Sequence, residues 1–268
     1  MNAYHAAHHH RIGLVVPSAN TTMETEIPAL LQRQSVADGS HFTFHSARLR
    51  LRQLTPEAIE TMNDHAGEAV ATLCDAEVDA IAYACFVSTM LGGRASVAEC
   101  GQRLSRRAAH ARSEPVPVVT SADALVTALQ SIGAASIAMI APYRKDITAK
   151  VGATIAEHGI AVRQAISLDA ANDAAIGRLD QMKLLELADE LDVRGCDALV
   201  LAACVQMPSL DVLDAAEQRL GLPVISAATA TVWALLQGLR IEPKIRGAGW
   251  LLRSGRAFTT MHEHRQAA

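Results

Sequence analysis

The stretches DAIAYAC (residues 79–85) and DALVLAAC (residues 197–204) decide how the rest of this chain is interpreted. Each is an apolar run with the length of a buried strand, and each ends in a cysteine, Cys85 or Cys204. Continuous apolar strands are typical of parallel sheets that are covered on both faces. Two cysteines in equivalent places, each at the end of a strand, indicate a site built on a pair of thiols.

The chain repeats this arrangement in three pieces that come in the same order. IGLVVPS (12–18) matches IAMIAPY (137–143) before the cysteine strands, and PVVTSA (117–122) matches PVISAA (223–228) after them. The first match places Pro17 against Pro142 and Ser18 against Tyr143. Three matches in order predict two similar halves.

Short apolar runs alternate with helical patterns, which predicts an α/β fold with mainly parallel sheets. The halves are expected at 11–120 and 121–226, with the C-terminal segment 227–268 packing back onto the first half. Gly133, Gly159 and Gly221 follow helical stretches, where a left-handed helix end is favoured. Strands are predicted near 11–17, 42–49, 78–84, 116–119, 135–141, 160–166, 197–203 and 222–225, and helices near 21–34, 55–76, 144–158, 176–193 and 209–220 and from 121 and 227.

Composition excludes several classes of function. The chain has 268 residues, of which 50% are hydrophobic and 19% charged, so it can bury a sizeable core. Aromatic residues make up 3%, the net charge is −4 and there is no long basic tract, so nucleic acid is not expected as a partner. No apolar run reaches the roughly 18 residues of a membrane span, and no secretory signal is apparent. We therefore expect a cytoplasmic protein with reduced thiols.

Ligands of parallel α/β sheets bind outside the carboxyl ends of the strands. Two facing halves would bring the loops 17–22, 85–90, 142–145 and 204–209 around one cleft that contains both cysteines. A buried cysteine is otherwise an ordinary small apolar residue, and polar residues after a strand are otherwise helix caps. The predicted substrate contacts in and near these loops are Ser18, Asn20, Thr21, Phe86, Val87, Tyr143, Asn172, Val205 and Gln206.

Six segments together resemble the maleate cis–trans isomerases of the aspartate/glutamate racemase superfamily. They are VPSANTTMETEIPALL, FTFHSARLR, YACFV, VVTSADALV, IAPY and ACVQMPSL, in the expected order from about 11 to 250. The resemblance implies two pseudo-symmetric halves with the active site between them, and a homodimer. It implies that Cys85 is the nucleophile and that Cys204 acts opposite it, while Asn20, Asn172 and Tyr143 bind the substrate.

The implied activity is the isomerisation of maleate, a small dicarboxylate, to fumarate, without cofactor or metal. The family often serves the degradation of nicotinic acid. One departure from the family pattern is FVSTMLGG after Cys85, where a more apolar segment is expected, so Ser88 and Thr89 bear on substrate scope. A two-cysteine racemase and a non-catalytic dicarboxylate-binding protein are the alternatives.

Overall fold

A computed structural model describes residues 9–170, 172–203 and 205–253 of the chain. It contains two four-stranded parallel sheets, ordered β2-β1-β3-β4 and β6-β5-β7-β8. The α/β class with two parallel sheets is therefore confirmed. The strands are β1 (His9–Pro17), β2 (His41–Leu49), β3 (Ala80–Tyr83), β4 (Val118–Thr120), β5 (Ser136–Ala141), β6 (Ala161–Ser167), β7 (Ala198–Leu201) and β8 (Val224–Ser226).

Helices connect these strands, and most begin or end close to the predicted bounds. A 19-residue helix, Gly93–Ala111, was not predicted, and the helix predicted from about 176 begins at Gln181. The helices are α1 (Met23–Asp38), α2 (Pro56–Asp75), α3 (Phe86–Met90), α4 (Gly93–Ala111), α5 (Ser121–Ser131), α6 (Lys145–Glu157), α7 (Asp173–Ile176), α8 (Gln181–Glu190), α9 (Leu213–Leu220) and α10 (Ala227–Gly238), with 3₁₀ turns at Leu210–Val212 and Trp250–Leu252.

The strand order places a topological switch point at the centre of each sheet. β1 lies between β2 and β3, so the chain leaves β1 toward one side and β3 toward the other. β5 and β7 have the same relationship in the second sheet. Crevices open at the carboxyl ends of such adjacent strands, and these are the ends that the predicted site residues follow.

The repeated PVVTSA and PVISAA pieces have one structural role in both halves. Thr120 ends β4, and its side chain accepts a hydrogen bond from the backbone N–H of Asp123 at the start of α5. Ser226 ends β8 and caps α10 in the same way through Thr229. A hydroxyl residue at the N-cap ends the strand and begins the helix without an intervening loop. The two helices contact each other, and α10 also packs on α1, β3 and β4.

The apolar core continues from one sheet to the other. Its larger cluster includes Ile12 and Ala82 of the first sheet together with Met139 and Val200 of the second. A smaller cluster lies between the first sheet and the helices α2 and α4. The two halves are therefore held together by shared apolar packing.

The expectation of left-handed helix ends is confirmed, and one further helix end is capped by a side chain. Gly133, Gly159 and Gly221 all have left-handed backbone, with φ of 68°, 85° and 63°. Thr55 caps α2 by accepting a hydrogen bond from the N–H of Ala58. Within the described residues, no helix is both long and apolar enough to cross a membrane.

Candidate active site

Cys85 lies two residues after the end of β3 and immediately before α3. It is buried, with 1% of its surface exposed, and its carbonyl oxygen accepts hydrogen bonds from the hydroxyls of Ser88 (3.1 Å) and Thr89 (2.9 Å). The stretch expected as a loop at 85–90 is thus a buried helical turn. The two hydroxyls that depart from the family pattern stabilise this turn and fix the backbone of Cys85.

Tyr83, two residues before Cys85, is fully buried behind it. Its hydroxyl donates a 2.9 Å hydrogen bond to Oδ1 of Asn63 on α2. Burial raises the pKa of Tyr83 well above its ordinary range, and the neighbouring thiols of Cys85 and Cys100 raise it further. The ring therefore stays neutral and acts as a hydrogen-bond donor near the Cys85 thiol.

Asn20 lies in the loop that follows β1 and is completely buried. Its Oδ1 accepts hydrogen bonds from the backbone N–H groups of Thr22 and Met23, both at 3.0 Å. The guanidinium of Arg48 donates to the carbonyl oxygen of Asn20 at 2.9 Å, and it also pairs with the carboxylate of Glu24. These bonds hold the loop in one conformation at the carboxyl end of β1.

Ser18 and Thr21, the other predicted residues of this loop, are both exposed. The Ser18 hydroxyl donates to the carbonyl oxygen of Leu51 at 3.1 Å and accepts from the N–H of Leu51 at 3.0 Å. Its side chain thus ties the loop to the segment that follows β2. Thr21 lies beside Gly177. A Cβ atom added to Gly177 would be 3.1 Å from the Thr21 hydroxyl oxygen.

Tyr143 follows β5, as the repeat predicts, and is 4% exposed. Its carbonyl oxygen accepts hydrogen bonds from the Asp169 N–H (3.3 Å) and the Thr148 hydroxyl (3.4 Å). Asn172 is exposed and caps α7, since its Oδ1 accepts from the N–H of Ala175 at 2.9 Å.

The predicted substrate contacts that come directly after the two cysteines in the chain are all buried. Phe86 and Val87 have 0% exposure, Val205 has 2% and Gln206 has 6%. Cys204 lies outside the described residues, so the expectation that it acts opposite Cys85 stays a prediction. Val205 has a φ of 49°, which a β-branched residue rarely adopts.

Hydrogen bonds across the two halves bring the predicted loops together. The Thr22 hydroxyl donates to the Gln206 carbonyl oxygen at 2.6 Å, so the loop after β1 contacts the segment that begins at 205. In the opposite direction, the Thr154 hydroxyl on α6 donates to the Met90 carbonyl oxygen at 2.7 Å, at the end of α3. Each of these bonds joins a segment near one predicted cysteine to the other half, the first at the N-cap of α1 and the second within α6.

Glu26 on α1 is a buried carboxylate near the site that the sequence analysis did not identify. Its Oε1 accepts hydrogen bonds from the backbone N–H groups of Ser209 (2.6 Å) and Leu210 (2.8 Å). Burial raises the pKa of Glu26, and these hydrogen bonds oppose that shift without reversing it. The sequence carried one sign of this buried carboxylate. Within METEIPALL (23–31), Glu26 lies on the same helix face as the buried apolar residues.

A cavity of about 940 Å³ lies beside the Cys85 segment. Asn63, Ser88, Thr89, Cys100 and Arg103 form part of its lining. Burial raises the pKa of the Cys100 thiol, which makes that cysteine a poor nucleophile. No group of three or more metal-ligating side chains occurs among the residues that the structure describes.

A buried thiol at one switch point, held by a helical turn, and a neighbouring loop that is bonded to the segment 205–210 define a candidate site for covalent chemistry on a small ligand. The sequence profile of the arylmalonate decarboxylase family matches residues 12–252. A maleate isomerase from Geobacillus stearothermophilus is 43% identical, over 92% of this chain and 98% of the relative.

Solved structures give the same result. The maleate isomerase of Pseudomonas putida matches with a TM-score of 0.89 at 36% identity, covering 92% of this chain and 99% of that one. A cysteine-to-serine mutant of the Nocardia farcinica maleate cis–trans isomerase, with a covalently bound succinylcysteine intermediate, matches with a TM-score of 0.87 at 37% identity, covering 91% and 98%. This chain belongs to the maleate isomerases within the arylmalonate decarboxylase family.

Proposed function

We propose that this protein converts maleate to fumarate by transient addition of the Cys85 thiolate to the double bond. The observation that supports this most is the placement of Cys85, which is buried at the carboxyl end of a parallel strand, in a sheet whose strand order the second half repeats. The succinylcysteine intermediate of the Nocardia farcinica relative is what such an addition produces.

The proposed reaction forms and breaks one carbon–sulfur bond. The Cys85 thiolate attacks one alkene carbon, and the π electrons move to the other carbon and into its carboxylate. The thiol of Cys204 gives a proton or a hydrogen bond to that second carbon. The central bond is now single and rotates. Return of any proton to Cys204 and departure of the Cys85 thiolate restore the double bond in the trans form.

The equilibrium favours fumarate because two like charges repel less when they are farther apart. Donors around the site lower the barrier by stabilising the charge that develops on the distant carboxylate. We assign this role to Asn20 and Tyr143, and to the backbone near Phe86, Val87, Val205 and Gln206. Asn172, Ser18 and Thr21 are assigned to the rim of the site, where Thr21 lies beside Gly177.

The organisation of the protein forms part of the same proposal. The halves are assigned to 11–120 and 121–226, with 227–268 packing onto the first half; residues 254–268 of that segment lie outside the described part of the chain. The family resemblance favours a homodimer that works in the cytoplasm in nicotinic acid degradation. Light scattering on the purified protein tests the dimer, and a molecular mass of one chain would refute it.

The decisive experiment mixes the purified protein with maleate alone and follows proton NMR. We expect fumarate to form without nucleotide, flavin or metal, and chelator to have no effect. Loss of activity on chelation, with recovery on adding one metal, would refute the cofactor-free reaction. In D₂O, exchange of deuterium into the stereocentre of a chiral substrate would favour a racemase, whereas binding of maleate without turnover would favour a binding protein.

The roles of the two thiols are tested by intact-mass spectrometry and peptide mapping. We expect a succinyl adduct on Cys85 in the Cys204→Ser variant after incubation with maleate, and none in Cys85→Ser. Two thiolates beside a dianion raise each other's pKa, so one thiol is expected to stay protonated. An adduct at Cys204 alone would reverse the assignment, and full activity of Cys85→Ser would refute covalent catalysis by that residue.

A further inference from the structure

The segment that begins at Val205 is held in a conformation that its own sequence does not favour. Val205 has a φ of 49°, and its side chain is 2% exposed. A left-handed conformation at a non-glycine residue costs on the order of 1–3 kcal/mol and persists only where surrounding contacts enforce it. The Val205 N–H donates to the Ala203 carbonyl oxygen at 2.8 Å, and the residues that follow Val205 are held by contacts from the other half of the molecule.

Two side chains of the first half supply these contacts. The Thr22 hydroxyl donates to the Gln206 carbonyl oxygen at 2.6 Å. The Glu26 carboxylate accepts from the N–H groups of Ser209 (2.6 Å) and Leu210 (2.8 Å), and its Oε2 lies 3.3 Å from the Ser209 hydroxyl oxygen. The segment 205–210 is thus fixed near both ends to the start of α1.

The use of a carboxylate for this purpose is costly. Glu26 is 6% exposed, and burial disfavours its charged form. Replacing a buried ion pair by well-packed apolar residues is often neutral or stabilising, so a buried carboxylate is weak evidence of a purely stabilising role. The Glu26 carboxylate holds two backbone N–H groups at defined positions. Both belong to the segment 205–210, which comes directly after residue 204 in the chain.

We propose that Glu26 and Thr22 are positioning residues, which fix the segment 205–210 to the first half, and that the reactivity of Cys204, the residue directly before this segment in the chain, depends on them. This inference rests on the proposed function, because it assigns Cys204 a role in the isomerisation. Neither residue is assigned a contact with the reacting atoms. Their effect on the rate is exerted through Cys204.

Glu217 provides a matched control for a purely structural role. It is also a largely buried carboxylate, with a side chain 10% exposed, and its Oε1 accepts hydrogen bonds from the N–H groups of Val224 (3.1 Å) and Trp250 (2.8 Å), while its Oε2 lies 3.7 Å from the Arg253 guanidinium. Burial raises its pKa as well. Val224 begins β8, so this carboxylate acts at the amino end of a strand, away from the edge that carries the site.

The experiment compares Glu26→Ala with Glu217→Ala in thermal unfolding and in the kinetics of maleate conversion. We expect both variants to lose stability. Only Glu26→Ala is expected to lower kcat by about tenfold or more with KM changed by less than about threefold, as for a residue that acts in the transition state. A kcat of Glu26→Ala as close to wild type as that of Glu217→Ala would overturn the inference.

A double-mutant comparison tests whether the effect passes through Cys204. In the Cys204→Ser background, Glu26→Ala should change the rate of succinyl adduct formation on Cys85 by less than about twofold, because effects through a shared residue do not add. A full additional loss there would overturn the inference. Should Glu26→Ala fail to fold, Thr22→Val carries both tests, since it removes one hydroxyl and keeps the side-chain volume.

Failure of the proposed function has a different signature. No adduct on Cys85 in Cys204→Ser with Glu26 intact would refute the proposed chemistry and this inference together. An adduct there, combined with wild-type kcat in Glu26→Ala and Thr22→Val, would refute the inference alone.

Discussion

The hydroxyl of Tyr83 donates a 2.9 Å hydrogen bond to Oδ1 of Asn63, which joins β3 to α2 directly behind Cys85. Both partners belong to the first half, and the ring of Tyr83 is fully buried. The bond therefore stabilises the carboxyl end of β3, which Cys85 follows in the chain.

Tyr83→Phe is expected to lower the free energy of unfolding by about 1 kcal/mol, because it leaves the Asn63 oxygen without this donor. Denaturant unfolding of Tyr83→Phe, Asn63→Ala and the double variant forms the test. The double variant should cost less than the sum of the single ones, since both remove the same bond. Strict additivity would show that the hydrogen bond contributes nothing.

Asn20→Asp separates the structural role of Asn20 from its assigned role toward substrate. Aspartate keeps the oxygen that accepts from the N–H groups of Thr22 and Met23, so the fold should be retained. It also places a negative charge where a dianion is proposed to bind, and we expect kcat/KM to fall by about 10²- to 10³-fold.

Asn172→Asp is the control for the effect of the Asn20→Asp exchange on stability. Asn172 is an exposed N-cap whose Oδ1 accepts from Ala175, and aspartate caps helices equally well. Its unfolding temperature should not change. Wild-type kinetics of Asn20→Asp would show that Asn20 serves the loop alone.

Thr89→Val removes a hydroxyl that donates to the Cys85 carbonyl oxygen at 2.9 Å. Combined with Ser88→Ala, it should lower kcat by between about 10- and 100-fold, because displacement of a reacting group by a fraction of an ångström is costly. Thr61→Val is the control, since Thr61 makes the same kind of bond to Glu57 on an exposed helix face. Equal kinetics of the two variants would contradict the prediction.

The stability of the protein should depend on pH through Glu26. Burial raises the pKa of this carboxyl above its ordinary value of 4.5, so the folded state binds the proton more tightly than the unfolded state. The stability gained from protonation is fully present below the unfolded pKa and is lost as the pH rises through the folded pKa. Glutamine does not titrate.

Thermal unfolding of wild type and Glu26→Gln from about pH 4 to pH 7 measures this effect. The wild-type advantage over Glu26→Gln should shrink as the pH rises from 4.5 upward. Glu217, whose pKa is raised in the same way, is present in both proteins and cancels. A difference that stays constant or grows with pH would refute the assignment.

Two features of this chain were predicted from sequence because their causes are local. The apolar runs that end at Cys85 and Cys204 predicted strands, and their repetition predicted two sheets of the same kind. The hydroxyl residues Thr120 and Ser226 mark strand-to-helix junctions that need only neighbouring backbone. The helix Gly93–Ala111 was missed because only Val97, Cys100, Leu104 and Ala108 are buried on it, a narrow stripe in a mostly polar sequence with a central glycine.

The sequence by itself determined the fold class, the family and the places of Cys85, Asn20 and Tyr143 after their strands. The tertiary structure alone decided what holds those places in register. Thr22 and Gln206 are separated by 184 residues, and Glu26 and Ser209 by 183. No periodicity or spacing records such pairs, because they form only when the two halves have packed. Glu26 was therefore an unremarkable helix residue in the sequence, and in the fold it is a buried carboxylate that joins the two sides of the site.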